Sequence, residues 1–249
     1  MKLINIILYT YLSVISAYNY ILNIGSTGLL LPYSLGIIGY IKKNTNNYKY
    51  ELIGTSGGAY CSLLYKYEKD LSVHDYIWKD IFGLNEKTKI DLYNMREFQN
   101  DTINILSKRY NKKLINENEK INIVATKYNN FLNSEKIIFN EFKNISDLIY
   151  KCHSSSYIPY ISGKNLYYVY DNSKYYDSVF NLDNRKIYKY VEDKKIINKV
   201  DNEKIIHINC YSWGRKWDMD NKHYLDYKTS KTLFDYGWED TKKYFKYIF

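Results

Sequence analysis

The stretch Gly54-Thr55-Ser56-Gly57-Gly58 follows the spacing G-x-S-x-G. That spacing suits an activated serine. A sharp turn between a strand and a helix lifts the hydroxyl clear of the sheet, and the glycines on either side let the backbone pass without Cβ collisions. Gly57, directly after the serine, then presents its N–H at a helix N-terminus, where it can meet negative charge developing on a carbonyl oxygen. The chemistry implied is attack on an acyl carbonyl through a covalent acyl-enzyme. Five small residues also describe a plain glycine turn, so the reading depends on what surrounds them.

The surrounding pattern supplies what the motif requires. Tyr48 to Ile53 reads as a short strand running into the turn, and Ala59 to Lys69 as a helix with Ala59, Leu63, Leu64 and Tyr67 on one face. Upstream, Tyr18 to Ile24 has the character of a buried parallel strand. It ends in its own turn, Gly25-Ser26-Thr27-Gly28, and Leu29 to Lys42 follows at helical spacing, with Pro32 where a first turn tolerates it. Two consecutive βα units predict a parallel sheet covered by helices. Further on, Ser72 to Leu114 reads as mostly helical, Ile121 to Thr126 and Ser134 to Phe139 as partner strands, and Ser146 as the cap of a helix reaching His153. Leu166 to Tyr170 and Lys174 to Tyr176 read as a hairpin, Lys204 to Tyr211 as a strand, and Thr229 to Ile248 as a closing helix.

An early serine, preceded by a strand that ends in a glycine turn, resembles the order of the patatin-like phospholipase family. Without gaps, Ser26-Thr27-Gly28-Leu29-Leu30-Leu31 falls on that family's glycine-rich loop, and Tyr33 and Gly36 fall on positions often Tyr and Gly in its members. Ser154-Ser155-Ser156-Tyr157-Ile158-Pro159 resembles the family's small-residue stretch ending in Ile-Pro. Leu166-Tyr167-Tyr168-Val169 and Tyr175-Tyr176-Asp177-Ser178 resemble its hairpin leading into an aspartate. The resemblance spans residues 18 to 182, with a general likeness at Gly237 to Phe245. It implies an α/β three-layer sandwich with a mostly parallel central sheet flanked by helices. It also implies a Ser56–Asp177 catalytic dyad and an oxyanion hole at Thr27, Gly28 and Gly57, with Gly54 and Gly58 shaping the elbow. The chain departs from the family pattern at Ser26 and Thr27, which replace two glycines, at Leu30 in place of a basic residue, at Leu31 in place of the last glycine, and at Ser178 after the aspartate.

The activity so implied is hydrolysis of carboxylic esters in phospholipids or acylglycerols, with no cofactor and no metal. The expected partners are a lipid substrate and a membrane or lipid-droplet surface, not nucleic acid. Two alternatives stay open. One is an α/β-hydrolase-type esterase using Ser56, Asp177 or Asp183, and His207 or His223; the other is an inactive relative that binds lipid. The net charge of +9 arises from dispersed lysines, with no block of like charge that would mark a nucleic-acid tail. The 31 tyrosines accompany abundant Lys, Asn and Ile and only two prolines, a composition that A/T-rich coding explains without a functional reason. Three cysteines, Cys61, Cys152 and Cys210, have no metal-ligand spacing and read as buried thiols. Met1-Lys2, an apolar run from Leu3 to Ile15 and Ser16-Ala17 have the layout of a secretory signal over residues 1–17, which places the protein in a secreted or lumenal setting. Residues 18–249, with no internal repeat or linker, read as a single domain.

Overall fold

The structure, a computed structural model, describes residues 20–45, 50–115, 120–130, 133–180, 204–209 and 224–248. The expected signal over residues 1–17 lies outside them, as do Asp183, Cys210 and His223. No helix among the described residues is long and apolar enough to cross a membrane.

Four strands run parallel at the centre: β1 (Tyr20–Ile24), β2 (Tyr50–Thr55), β4 (Ile121–Asn130) and β8 (Lys204–Ile208). β1 lies between β2 and β8, and β2 pairs with β4 from Leu52↔Ile121 to Thr55↔Val124. Successive side chains alternate between the two faces of the sheet. Leu22, Ile24, Leu52 and Ile123 join the main core, while Ile21, Ile53 and Val124 form a smaller cluster with Ile138 and Ile205.

The sheet of seven strands is mixed, where the sequence predicted a mostly parallel one. The reason is local. Short turns can only return a chain antiparallel. β5 (Asn133–Phe139) follows β4 after two residues, and β6 (Tyr168–Tyr170) joins β7 (Ser173–Tyr176) through Asp171-Asn172. Both of those turn residues have positive φ, 47° and 58°, as a tight hairpin requires. Val124 pairs with both Thr55 and Ile138, and Thr126 with both Tyr176 and Lys136. A strand has only two edges, so β2 and β7 lie end to end along one edge of β4, with β5 on the other.

The helices are α1 (Leu31–Asn44), α2 (Gly57–Tyr67), α3 (Met95–Tyr110), α4 (Ile145–Ser156) and α5 (Tyr227–Ile248), and all five contribute to the main core. The segment expected to be mostly helical, Ser72 to Leu114, also contains a π-helical turn at Tyr76–Ile81 and a short strand, β3 (Lys89–Asp91). β3 pairs antiparallel with β9 (Tyr224–Asp226), a long-range contact that no local pattern could announce. Asn144, not Ser146, caps α4 by accepting the Asp147 N–H at 2.9 Å, because Ser146 already lies within the first turn.

A buried ionic knot fixes the π turn and α3 to the end of α2. Arg109 Nε donates to Glu68 Oε1 at 2.6 Å and Tyr76 donates to Glu68 Oε2 at 2.5 Å, with Tyr110 as a further donor. Burial pushes the Glu68 carboxyl up, but the hydrogen bonds from Arg109, Tyr110 and Tyr76 outweigh it and hold the carboxyl below its usual range. α1 and α5 approach backbone to backbone. A Cβ on Gly36 would lie 2.1 Å from the Phe234 carbonyl oxygen, and one on Gly237 would lie 2.0 Å from that of Tyr33. Tyr33 closes the contact by donating to Asp240 Oδ2 at 2.9 Å. Gly36→Ala and Gly237→Ala are each expected to force these helices apart and to destabilise the fold by about 1–3 kcal/mol, read from denaturant unfolding. Wild-type stability in either variant would refute the close approach.

Candidate active site

Ser56 leaves β2 at its paired end and opens α2. Its backbone has φ 57° and ψ −129°, an unfavourable conformation for a residue with a side chain. Two hydrogen bonds hold it there. The Ser56 N–H donates to Ser155 Oγ at 2.8 Å, and Ser155 Oγ donates to the Val124 carbonyl at 2.5 Å. The elbow has no room for side chains at its glycines. A Cβ on Gly54 would fall 2.6 Å from Ala59 Cα, and one on Gly58 would fall 2.2 Å from the Ile24 carbonyl oxygen.

Asp177 arrives from the opposite direction, at the end of β7. Thr55 pairs with Val124 and Tyr176 with Thr126, so the residues that follow them, Ser56 and Asp177, meet beside Ala125. Ser56 Oγ donates to Asp177 Oδ2 at 2.5 Å. The other carboxylate oxygen accepts the Val179 N–H at 2.9 Å, and the Asp177 N–H donates to the Tyr157 carbonyl at 2.8 Å. Burial pushes the Asp177 carboxyl up to about 6, against the pull of the hydrogen bonds from Ser56 and Val179 and of the positive charge of Lys136. A base of that strength ionises just below neutral pH, where a carboxylate is best placed to take a proton from a hydroxyl.

Gly28, Ser56 and Gly57 line one cleft with about 640 Å³ of space, part of it open to solvent. Gly28 adopts φ +49°, and Gly57 is the first residue of α2, where a backbone N–H lacks an intrahelical partner. The side chain of Thr27, whose backbone was expected to join Gly28 and Gly57 in an oxyanion hole, packs against Gly57: a Cβ on Gly57 would lie 2.1 Å from Thr27 Oγ1. The last family glycine of this loop is Leu31 here. Its helical angles, φ −46° and ψ −45°, need no glycine.

Trp78 and Phe82 line the cleft from the π turn, and Met95 and Phe98 from α3. Ile90 and Leu225 face each other across β3 and β9 and line it too. Trp78 and Phe82 are buried in the core and wall the cleft at the same time. A second pocket, widely open to solvent and of mixed polar and apolar lining, is bordered by Thr55 and Ser178, the chain neighbours of the dyad residues, together with Ser26, Lys136 and His207.

Neither Ser56 nor Asp177 is hydrogen-bonded to a histidine among the described residues. His74 pairs with Ser230 Oγ at 2.8 Å, His207 Nδ1 with Asn23 Nδ2 at 3.1 Å, and burial pushes His153 down to about 4. Cys61 and Cys152 are buried free thiols, and no cluster of metal-ligating side chains occurs among the described residues. Ser155 and Tyr157 carry a role that the sequence did not assign: one small-residue stretch holds the serine and the aspartate by their backbones. The only signal for it was the run Ser154-Ser155-Ser156 itself. Searches against known proteins found no matching family model and no matching curated protein.

Two outcomes follow from Asp177. If its carboxylate takes the Ser56 proton, ester turnover falls about tenfold for each step of one in pH below about 6 and levels off above it. A pH–rate profile flat through that range would remove Asp177 as the base. The raised value also means that ionising Asp177 opposes folding. Asp177→Asn is therefore expected to match the wild type in stability below about pH 4 and to exceed it above about pH 6, by an amount on the order of 3 kcal/mol. Chemical denaturation at the two ends of this window measures the difference, and a gap that shrinks as pH rises would contradict the assigned burial.

Proposed function

We propose that this protein is a serine lipid acyl hydrolase of the patatin-like type. The single observation that carries the reading is the direct 2.5 Å contact of Ser56 Oγ with a buried carboxylate at the mouth of an apolar cleft. The fold proposed with it is the patatin-like one, for which the parallel strands β8, β1, β2 and β4 and the order of the landmarks speak.

In this reading, an ester enters with its acyl chain in the apolar cleft and its carbonyl at Ser56. Ser56 Oγ attacks the carbonyl carbon as Asp177 Oδ2 takes its proton. The tetrahedral oxyanion faces the N–H groups of Gly28 and Gly57, each good donor being worth roughly 3 kcal/mol in the transition state. Collapse breaks the bond to the alcohol oxygen, which recovers the proton from Asp177. A water then attacks the acyl-enzyme, Asp177 takes its proton, and the acid leaves as Ser56 regains its hydrogen.

A lipid surface as the place of work fits the cleft's rim. Leu92 and Tyr93 are exposed on the turn between β3 and α3, both of which line the cleft. Asp91 stiffens that turn by accepting the N–H groups of Tyr93 at 2.9 Å and Asn94 at 3.1 Å. Apolar side chains held outward beside an apolar cleft suit contact with acyl chains at an interface.

The test is fluorophosphonate labelling, followed by fatty-acid release from mixed phospholipid and triacylglycerol vesicles. Wild-type protein is expected to be labelled and Ser56→Ala not; release is expected to fall at least about 10³-fold in Ser56→Ala and Asp177→Asn. A folded wild-type protein that takes no label and releases no acid would overturn the proposal.

A further inference from the structure

α3 presents Met95, Phe98, Gln99 and Thr102 to the cleft, at the i, i+3, i+4, i+7 spacing of a single helical face. The presence of Gln99 in that stripe is unexpected. The residue is 7% exposed, and its amide nitrogen donates to the Ser156 carbonyl at 3.0 Å. That bond fixes the orientation of the amide, since the reverse flip would set two carbonyl oxygens against each other. The amide oxygen then remains buried with no hydrogen-bond partner among the described residues.

A second orphan lines the same cleft. Trp78 is 1% exposed, and its indole Nε1–H, a donor with no accepting capacity, also has no partner among the described residues. Trp78 stands in the π-helical turn, where Phe82 N–H bonds to the Ile77 carbonyl at 3.1 Å. Such turns are rare and recur at functional sites. The Tyr60 hydroxyl, buried and lining the same cleft, is a third polar atom with no partner among the described residues. Buried polar atoms are ordinarily satisfied, so three orphans in one largely apolar cleft call for an explanation.

We infer that the acyl cleft holds a subsite for a hydroxyl group carried on the acyl chain, with Gln99 Oε1 accepting its hydrogen and Trp78 Nε1–H donating to its oxygen. The inference rests on the acyl-hydrolase reading and narrows it to oxygenated acyl chains. An alkyl hydroxyl has one hydrogen and two lone pairs, which Gln99 Oε1, Trp78 Nε1–H and the Tyr60 O–H together match. The apolar side chains around the pair, Leu29, Phe82, Ile90, Met95 and Phe98, then take the methylene groups on either side of the hydroxyl. A site built to bond a hydroxyl discriminates against the chain that lacks it, because the unmodified chain leaves these protein groups buried and unpaired.

The experiment compares kcat/KM of the full chain on 4-nitrophenyl octanoate with its values on the monohydroxy-octanoate esters carrying the hydroxyl at successive positions from C3 to C8. At least one isomer is expected to exceed the plain ester about tenfold or more. In Gln99→Met the ratio should collapse, through a faster plain ester and a slower hydroxy ester; Trp78→Phe should lower it in the same direction, and melting curves report whether each variant is folded. A folded wild-type protein that hydrolyses octanoate but favours no hydroxy isomer overturns the subsite and leaves the hydrolase reading intact. If no ester is turned over and Ser56 takes no label, the hydrolase reading has failed instead. The subsite is then judged by calorimetric binding of the free hydroxyoctanoic acids against octanoic acid: tighter binding of one hydroxy acid supports it, and equal binding or none overturns it.

Discussion

Everything in this molecule that bears on chemistry depends on the meeting of two strand ends beside one residue of β4. β2 runs parallel to β4 and β7 antiparallel to it, along the same edge, so the two chains converge head to head. Ser56 and Asp177, 121 positions apart, become neighbours at 2.5 Å because each is the next residue after its strand's last pairing. The mixed sheet is therefore a requirement of the site. A wholly parallel neighbour on that edge would have ended at the far side and carried its aspartate away from the serine.

That convergence places strain at Ser56, whose positive φ has no favourable local cause. α4 supplies the restraint. Ser155 bridges the Ser56 N–H to the Val124 carbonyl, and two residues later Tyr157 accepts the Asp177 N–H. The same short stretch also reaches the cleft, since the Ser156 carbonyl holds the Gln99 amide. Ser56, Asp177 and a wall of the cleft thus share one support, whose serines are small enough to lie between the helix and β4. The enclosure that this packing creates is also what raises the Asp177 carboxyl to about 6, so burial sets both the position of the carboxyl and its hold on a proton.

The two pockets differ in character. The apolar cleft is assembled from distant pieces: the π turn, α3, and the pairing of β3 with β9. The Glu68–Arg109 knot, with Tyr76 and Tyr110, keeps the first two in place from behind. The second, open pocket of mixed lining is made by the ends of β1, β2 and β8 together with Lys136 and Ser178.

The amino-acid order by itself determined the elbow at Gly54 to Gly58, the strand before it, the helix after it, and the glycine turn that closes β1. These are local matters, in which spacing and residue size act over a few positions. It also located Asp177, but through resemblance to a family; no local property of Tyr175-Tyr176-Asp177 says which serine it will face. What tertiary structure alone decided were relations between distant segments. The antiparallel half of the sheet depends on which edge of β4 each strand finds, and the packing of the Thr27 hydroxyl against Gly57 is another such relation. The parts of Ser155, Tyr157 and Gln99 are contacts of buried polar atoms, which leave no period or motif in a sequence. Such contacts come into being only when the chain has closed its core and removed the water that would otherwise have satisfied them.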